Sequence, residues 1–283
     1  MKISKTRNYL RPNLLVAAIS LSLSGHVLSA TLEEVIVTAQ KRAQNLNDVS
    51  ISVTAATAKD ISDLRIETAI DIAKLSPNVD IKSTLGGLNP AITVRGVGLN
   101  DFNVNNNPSV GVYVDEVFLT SPAMLSFMMF DVERVEVLKG PQGTLYGRNT
   151  NGGAINIVSV KPSNETEGYV RLGAGNFNSR EVEGAIGGAL SDQVSGRLSV
   201  RLDNRDGQHE WNQGDHTFGD IDSTALRGQL AYDNGDQFTA NLSLSIGEQT
   251  GTTIPGTSFG TLNAAFGTCA GNEILAQQCT DYD

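Results

Sequence analysis

Residues 194–203 read Val194-Ser195-Gly196-Arg197-Leu198-Ser199-Val200-Arg201-Leu202-Asp203. Apolar and polar side chains alternate with a period of two, the spacing of a β-strand with one greasy face and one wet face. Val194, Leu198, Val200 and Leu202 point one way; Ser195, Arg197, Ser199, Arg201 and Asp203 point the other. The pattern recurs on both sides. Residues 169–174 alternate, with Val170, Leu172 and Ala174 on one face, and residues 181–190 form a run softened by Gly184, Gly187 and Gly188. Leu226, Leu230 and Tyr232 then oppose Ala225, Arg227 and Gln229. Phe238, Ala240, Leu242, Leu244 and Ile246 oppose Thr239, Asn241, Ser243 and Ser245. The connections at 191–193 and 234–236 are tight, whereas 206–220 and 247–283 are long. The first connection, 175–179, is shorter than that alternation prefers. Alternate short turns and long loops belong to an antiparallel transmembrane β-barrel. A soluble sandwich shares the strand texture and is the alternative fold.

Residues 48–162 read differently, as an α+β domain of short elements. Residues 49–54 alternate and suit a strand. Ile61, Leu64, Ile66, Ile70, Ile72 and Leu75 fall at helical spacing, with helix starts near Thr57 and Thr68 and a stop at Pro77. Short strands follow at 79–81, 92–96 and 110–117. Met124, Phe127, Met128, Met129 and Phe130 form an apolar cluster that reads as core. Residues 132–138 are amphipathic, with Val132, Val135 and Leu138 against Glu133, Arg134 and Glu136. A Gly-rich turn at 140–147 leads to a strand ending near Val158.

The chain has 283 residues and a formal net charge of −10, which argues against a nucleic-acid binder, since such proteins need a basic face to neutralise phosphates. No apolar run reaches the length of a membrane-spanning helix. The first 30 residues carry Lys2, Lys5, Arg7 and Arg11, then an apolar stretch over 14–23, then Leu28-Ser29-Ala30. That is the pattern of a secretory signal peptide, so the protein is expected to be exported. Behind it, residues 31–47 begin with a β-branched run and turn polar. This isolated strand is either the first strand of the next domain or a strand offered to a partner by edge pairing.

Catalytic chemistry is not evident. His209 and His216 share one polar loop without metal-ligand spacing, and residues 140–147 lack the Lys-Ser/Thr that a phosphate-binding loop requires. The expectation is a non-enzyme with no metal site and no permanently bound cofactor. Cys269 and Cys279 lie in the last loop and suit a loop-stapling disulfide in an oxidising compartment.

The order of these segments resembles the N-terminal part of a TonB-dependent outer-membrane receptor. Glu33 and residues Glu34, Val35, Ile36, Val37, Thr38 and Ala39 resemble the TonB box. Ile92-Thr93-Val94-Arg95-Gly96 resembles the family's I-R-G strand. Val112-Tyr113-Val114-Asp115 resembles its Y-[IV]-D-G-V segment, with Glu116 in place of the usual Gly. The run 132–147 and the segment 151–157 resemble the most recognisable part of the plug. The resemblance implies a signal peptide at 1–30, TonB box and linker at 31–47, an α+β plug at 48–162, and the first five or so strands of an incomplete barrel at 163–283. It implies active uptake of a scarce ligand across the bacterial outer membrane, most often an Fe(III)-siderophore complex. The expected partners are TonB with its inner-membrane energising complex, outer-membrane lipid and the small-molecule ligand. Asn100, Asp101, Phe102 and Asn103 fall in a loop that would contact ligand, and Arg95 and Arg134 would hold the plug to the barrel. A family barrel of about 22 staves needs far more chain than follows Pro162, so the sequence reads as an N-terminal fragment. A soluble exported β-rich binding or adhesion protein is the alternative.

Overall fold

A computed structural model describes residues 35–66, 68–83, 90–99, 107–121, 124–125, 129–210, 217–235 and 237–252. The chain opens with a small hairpin, β1 (Ile36–Val37) and β2 (Gln44–Asn45), followed by β3 (Val53–Thr57) and α1 (Ala58–Asp63). The expected strand over 49–54 starts later than the alternation suggests. Asn45 caps a 3-10 turn at Leu46–Asp48 by accepting from the Asn47 N–H at 2.9 Å, and the ladder to the neighbouring strand at 132–139 begins only at Val53, opposite Leu138. Helix α1 starts where the sequence places it. The Thr57 N–H donates to Asp60 Oδ2 at 2.9 Å and the Asp60 N–H donates to Thr57 Oγ1 at 3.3 Å, a reciprocal capping box. The second expected helix is a 3-10 helix, Ala69–Leu75, begun by the same Thr–Asp device at Thr68 and Asp71.

Strands β4 (Val79–Ser83), β5 (Pro90–Val94) and β6 (Val97–Gly98) make a small antiparallel sheet. Strands β7 (Val110–Val114), β8 (Val117–Phe118), β9 (Val132–Lys139) and β10 (Gly153–Ser159) join β3 in a second sheet. Its order is β3-β9-β10-β7-β8, and helix α2 (Gly143–Tyr146) sits in the β9–β10 connection. Only the β10–β7 pair in this sheet is parallel. One face, with Val135, Val137, Ile155 and Ile157, packs on Ile72, Val79, Ile81, Ile92 and Val94. The other face, with Leu138, Ala154 and Tyr113, packs on Val37, Ala39 and Tyr146. Met129 and Phe130 are buried as expected and Met124 packs against the core; Phe127 and Met128 lie outside the described residues.

Then come the staves: β11 (Glu167–Ala174), β12 (Arg180–Ser191), β13 (Val194–Arg205), a small hairpin β14 (His209–Glu210) with β15 (Thr217–Phe218), β16 (Ile221–Asp233) and β17 (Thr239–Thr250). The order β11-β12-β13-β16-β17 follows the chain, with every neighbour antiparallel. Four of the five have 12 or 13 residues, more than the roughly 9–11 that cross a bilayer. The register aligns Ile186, Leu198, Gly228 and Leu244 in one row across the sheet.

Burial in this sheet is inverted relative to a water-soluble protein. Ser195, Arg197, Ser199, Arg227 and Gln229 are buried, while Leu172, Ile186, Leu190, Leu242 and Leu244 on the opposite face are each 63–75% exposed. A sandwich would cover that apolar face with a second sheet. Here the polar face meets the α+β domain and the apolar face is bare, as a wall facing lipid requires.

Candidate functional site: the leading hairpin and the plug–wall junction

Of the residues expected to form the partner-binding strand, Glu34 lies outside the described residues. Ile36 pairs with Asn45 and Val37 with Gln44, and the Leu46 N–H donates to the Val35 carbonyl at 2.9 Å. The chain reverses at Lys41, whose φ is 60° and whose N–H donates to the Thr38 carbonyl at 2.8 Å. The ladder is two residues long, too short to persist alone. Packing secures it. Val37 and Ala39 are fully buried against Tyr113, Leu138, Tyr146 and Ala154, whereas Ile36 is exposed.

Beneath the hairpin lies a buried polar cluster. Glu136 Oε1 accepts from the Thr38 N–H at 2.8 Å, from Thr38 Oγ1 at 3.3 Å and from Arg134 Nε at 2.8 Å. Its Oε2 accepts from Asn156 Nδ2 at 3.2 Å. Arg134 Nη2 also donates to Thr38 Oγ1 at 3.1 Å. Lys41 sits 4.7 Å from the centre of the Tyr146 ring and 3.9 Å from Glu116, closing the far side of the turn. Burial, followed by the negative charges of Glu136 and Glu116, pushes the Tyr146 hydroxyl well above its ordinary range, so it stays neutral.

A second cluster joins the two bodies. Asp131, at φ 50°, accepts from Arg197 Nη2 at 2.6 Å and from Nε at 2.7 Å, a bidentate pair, and from Ser199 Oγ. Arg201 donates to the Met129 carbonyl and Arg227 to the Phe130 carbonyl, both at 3.1 Å. The Arg227 guanidinium also lies 4.4 Å from the centre of the Phe130 ring. Gln229 Nε2 donates to Ser159 Oγ at 2.9 Å, which in turn donates to Asp115 at 2.6 Å. Cations of the wall thus grip the carbonyls and the acid of residues 129–131, just ahead of β9, while the Gln229 amide holds the end of β10.

Neither of the residues expected to hold plug to wall is bonded to a described stave. Arg134 contacts Glu133, Glu136 and Thr38, all within the plug and leading hairpin. Arg95, at φ 52°, is exposed in the β5–β6 turn, where its N–H donates to the Asn78 carbonyl. Among the described residues the wall holds the plug at Met129, Phe130, Asp131 and Ser159; sequence reading takes Met129 and Phe130 as core and gives the other two no contact. Asn100, Asp101, Phe102 and Asn103 lie outside the described residues, as do Cys269 and Cys279. Among the described residues no group of three or more His, Cys, Asp or Glu is placed to hold a metal ion.

A small α+β body docked on the polar face of an antiparallel wall whose other face is bare and apolar is the architecture of a stoppered outer-membrane barrel. The TonB-dependent Receptor Plug Domain family matches residues 45–154. The chain belongs to the TonB-dependent receptors. It is 31% identical over 193 residues to the pesticin receptor of Yersinia enterocolitica, an overlap of 68% of this chain and 28% of that one. It is 28% identical over 178 residues to the vitamin B12 transporter BtuB of Vibrio vulnificus, covering 62% of this chain and 28% of that one. The crystal structure of the ferric yersiniabactin uptake receptor FyuA from Yersinia pestis superposes with a TM-score of 0.65 at 28% identity, over 70% of this chain and 32% of that chain. The chain therefore spans less than a third of the length of these relatives.

Proposed function

We propose that this chain provides the plug, the leading strand and the first staves of a receptor that takes up a scarce ligand, a ferric siderophore, across the outer membrane. The leading strand, residues 34–39, is the element handed to TonB, which pairs with it edge to edge and draws on the energised inner membrane. The observation that carries this reading is the attachment of that strand: a two-residue ladder and a few side chains hold it, whereas ladders of five and seven pairs tie β3 and β10 to β9. A strand so lightly paired is available for exchange to another strand. The overlap with FyuA, whose own ligand is ferric yersiniabactin, supports a ferric ligand, and the overlap with BtuB makes cobalamin the second class to test.

The test is Val37→Pro in the native receptor. Proline deletes the ladder N–H and fixes φ. Binding of iron-loaded siderophore at the cell surface should persist while accumulation of labelled iron stops. Normal accumulation in that variant refutes the assignment of the strand. Labelled cobalamin run in parallel decides between the two ligand classes.

A further inference from the structure

The leading strand is not merely resting on the plug. Its Thr38 N–H points away from β2 and ends on Glu136, a carboxylate with no exposed surface. The hairpin partner occupies one edge of the strand, and Glu136 claims the donor on the other at the point where a visiting strand would need it. We infer that Glu136 is the latch that keeps the strand closed, and that Arg134, Asn156 and Thr38 Oγ1 form its seat. This rests on the reading of residues 34–39 as the exchanged strand and adds the residue that regulates its availability.

The chemistry suits a catch that holds but can be opened. Hydrogen bonds to an ionised acceptor are stronger than neutral ones, so one carboxylate oxygen taking three donors gives a firm hold. Arg134 balances the charge from the plug side and also touches Glu133, so Glu136 stays paired when Thr38 leaves. Only the strand's own contacts are lost on opening. The seat is also incompletely satisfied. Asn156 Oδ1 and Tyr146 Oη, both buried under the hairpin, have no hydrogen-bond partner in the closed arrangement. Buried orphans of this kind are costly, and exposing them to water on opening recovers part of that cost.

The experiment uses the native receptor in outer-membrane preparations, without ligand or energy source. Ala39→Cys places a thiol at a fully buried position of the leading segment, and Ile155→Cys places one in the plug core as a folding control. Labelling with a hydrophilic maleimide is timed in each. Adding Glu136→Gln should speed labelling at position 39 by at least tenfold while position 155 stays protected. Adding Thr38→Val, which spares the backbone N–H but removes the hydroxyl, should speed it by about threefold, between the two. An unchanged rate at position 39 with position 155 protected overturns the latch. If Glu136→Gln also exposes position 155, Thr38→Val decides: faster labelling supports the latch and an unchanged rate overturns it. None of these readouts depends on uptake, so their failure leaves the assignment of residues 34–39 to be judged by the proline variant.

Discussion

Asp131 stands in the left-handed region that few residues other than Gly, Asn and Asp enter readily, with both carboxylate oxygens turned into the wall. Its side chain has no exposed surface and that of its partner Arg197 only 4%. Removing one member of such a pair strands a buried charge, so Arg197→Ala should cost about 3–5 kcal/mol. Asp131→Asn keeps the backbone preference and removes the charge, but leaves the Arg197 guanidinium without its bidentate acceptor. Both variants should lower the temperature at which the folded band is lost in a heat-modifiability gel. A wild-type midpoint for Arg197→Ala would show that the junction does not depend on this pair. The same contrast explains why the site was harder to read than the fold. Period-two alternation marks Glu136 as polar, but says nothing of a hairpin arriving from 98 residues away to bury it. Arg134 reads as reaching for the wall because its contact with Thr38 is equally remote in sequence.

Elements were legible where a local rule sufficed. The five staves follow from alternation alone, since a strand with one lipid face and one polar face repeats every two residues. Helix α1 follows from Thr57 and Asp60, the two ends of its capping box. The start of β3 was not legible, because it is set by the pairing of Val53 with Leu138 on β9 and alternation carries no trace of so remote a partner. Hydrogen bonds from the Thr57 backbone and hydroxyl hold Asp60 below its ordinary 3.8, despite a small opposing effect of burial. Across the window between the lowered folded value and the ordinary one, the unfolded chain binds more protons, so stability rises with pH there. The cap is complete above the ordinary carboxylate range and is lost as pH falls through the folded value. Thr57→Ala should cost about 1 kcal/mol at neutral pH and less in strong acid. Amide exchange across residues 58–63 checks this; an equal effect at both pH values would remove Asp60 from the explanation.

Across the whole molecule, polarity is arranged inside out. The row Ile186, Leu198, Gly228 and Leu244 faces away from the plug, while Arg197, Ser199 and Arg227 face it. A charge on the outward row enters hydrocarbon, so Leu244→Arg near the middle of β17 should cost about 2–4 kcal/mol in a bilayer. The neighbouring Ser243→Arg points to the lumen and should cost little. Denaturant titration of the receptor refolded into lipid vesicles measures both; equal costs would mean that β17 does not face lipid. The position of β3 at the margin of the plug sheet has a mechanical consequence. Tension applied ahead of Val35 first meets the β1–β2 pair, then runs along the chain to Val53, at the end of a strand that, among the described residues, is bonded on one side only, to β9. Both attachments are loaded like a zipper opened from its tab, bond after bond, so a modest steady tug frays the stopper from its rim while the interior strands β9 and β10 keep their grip.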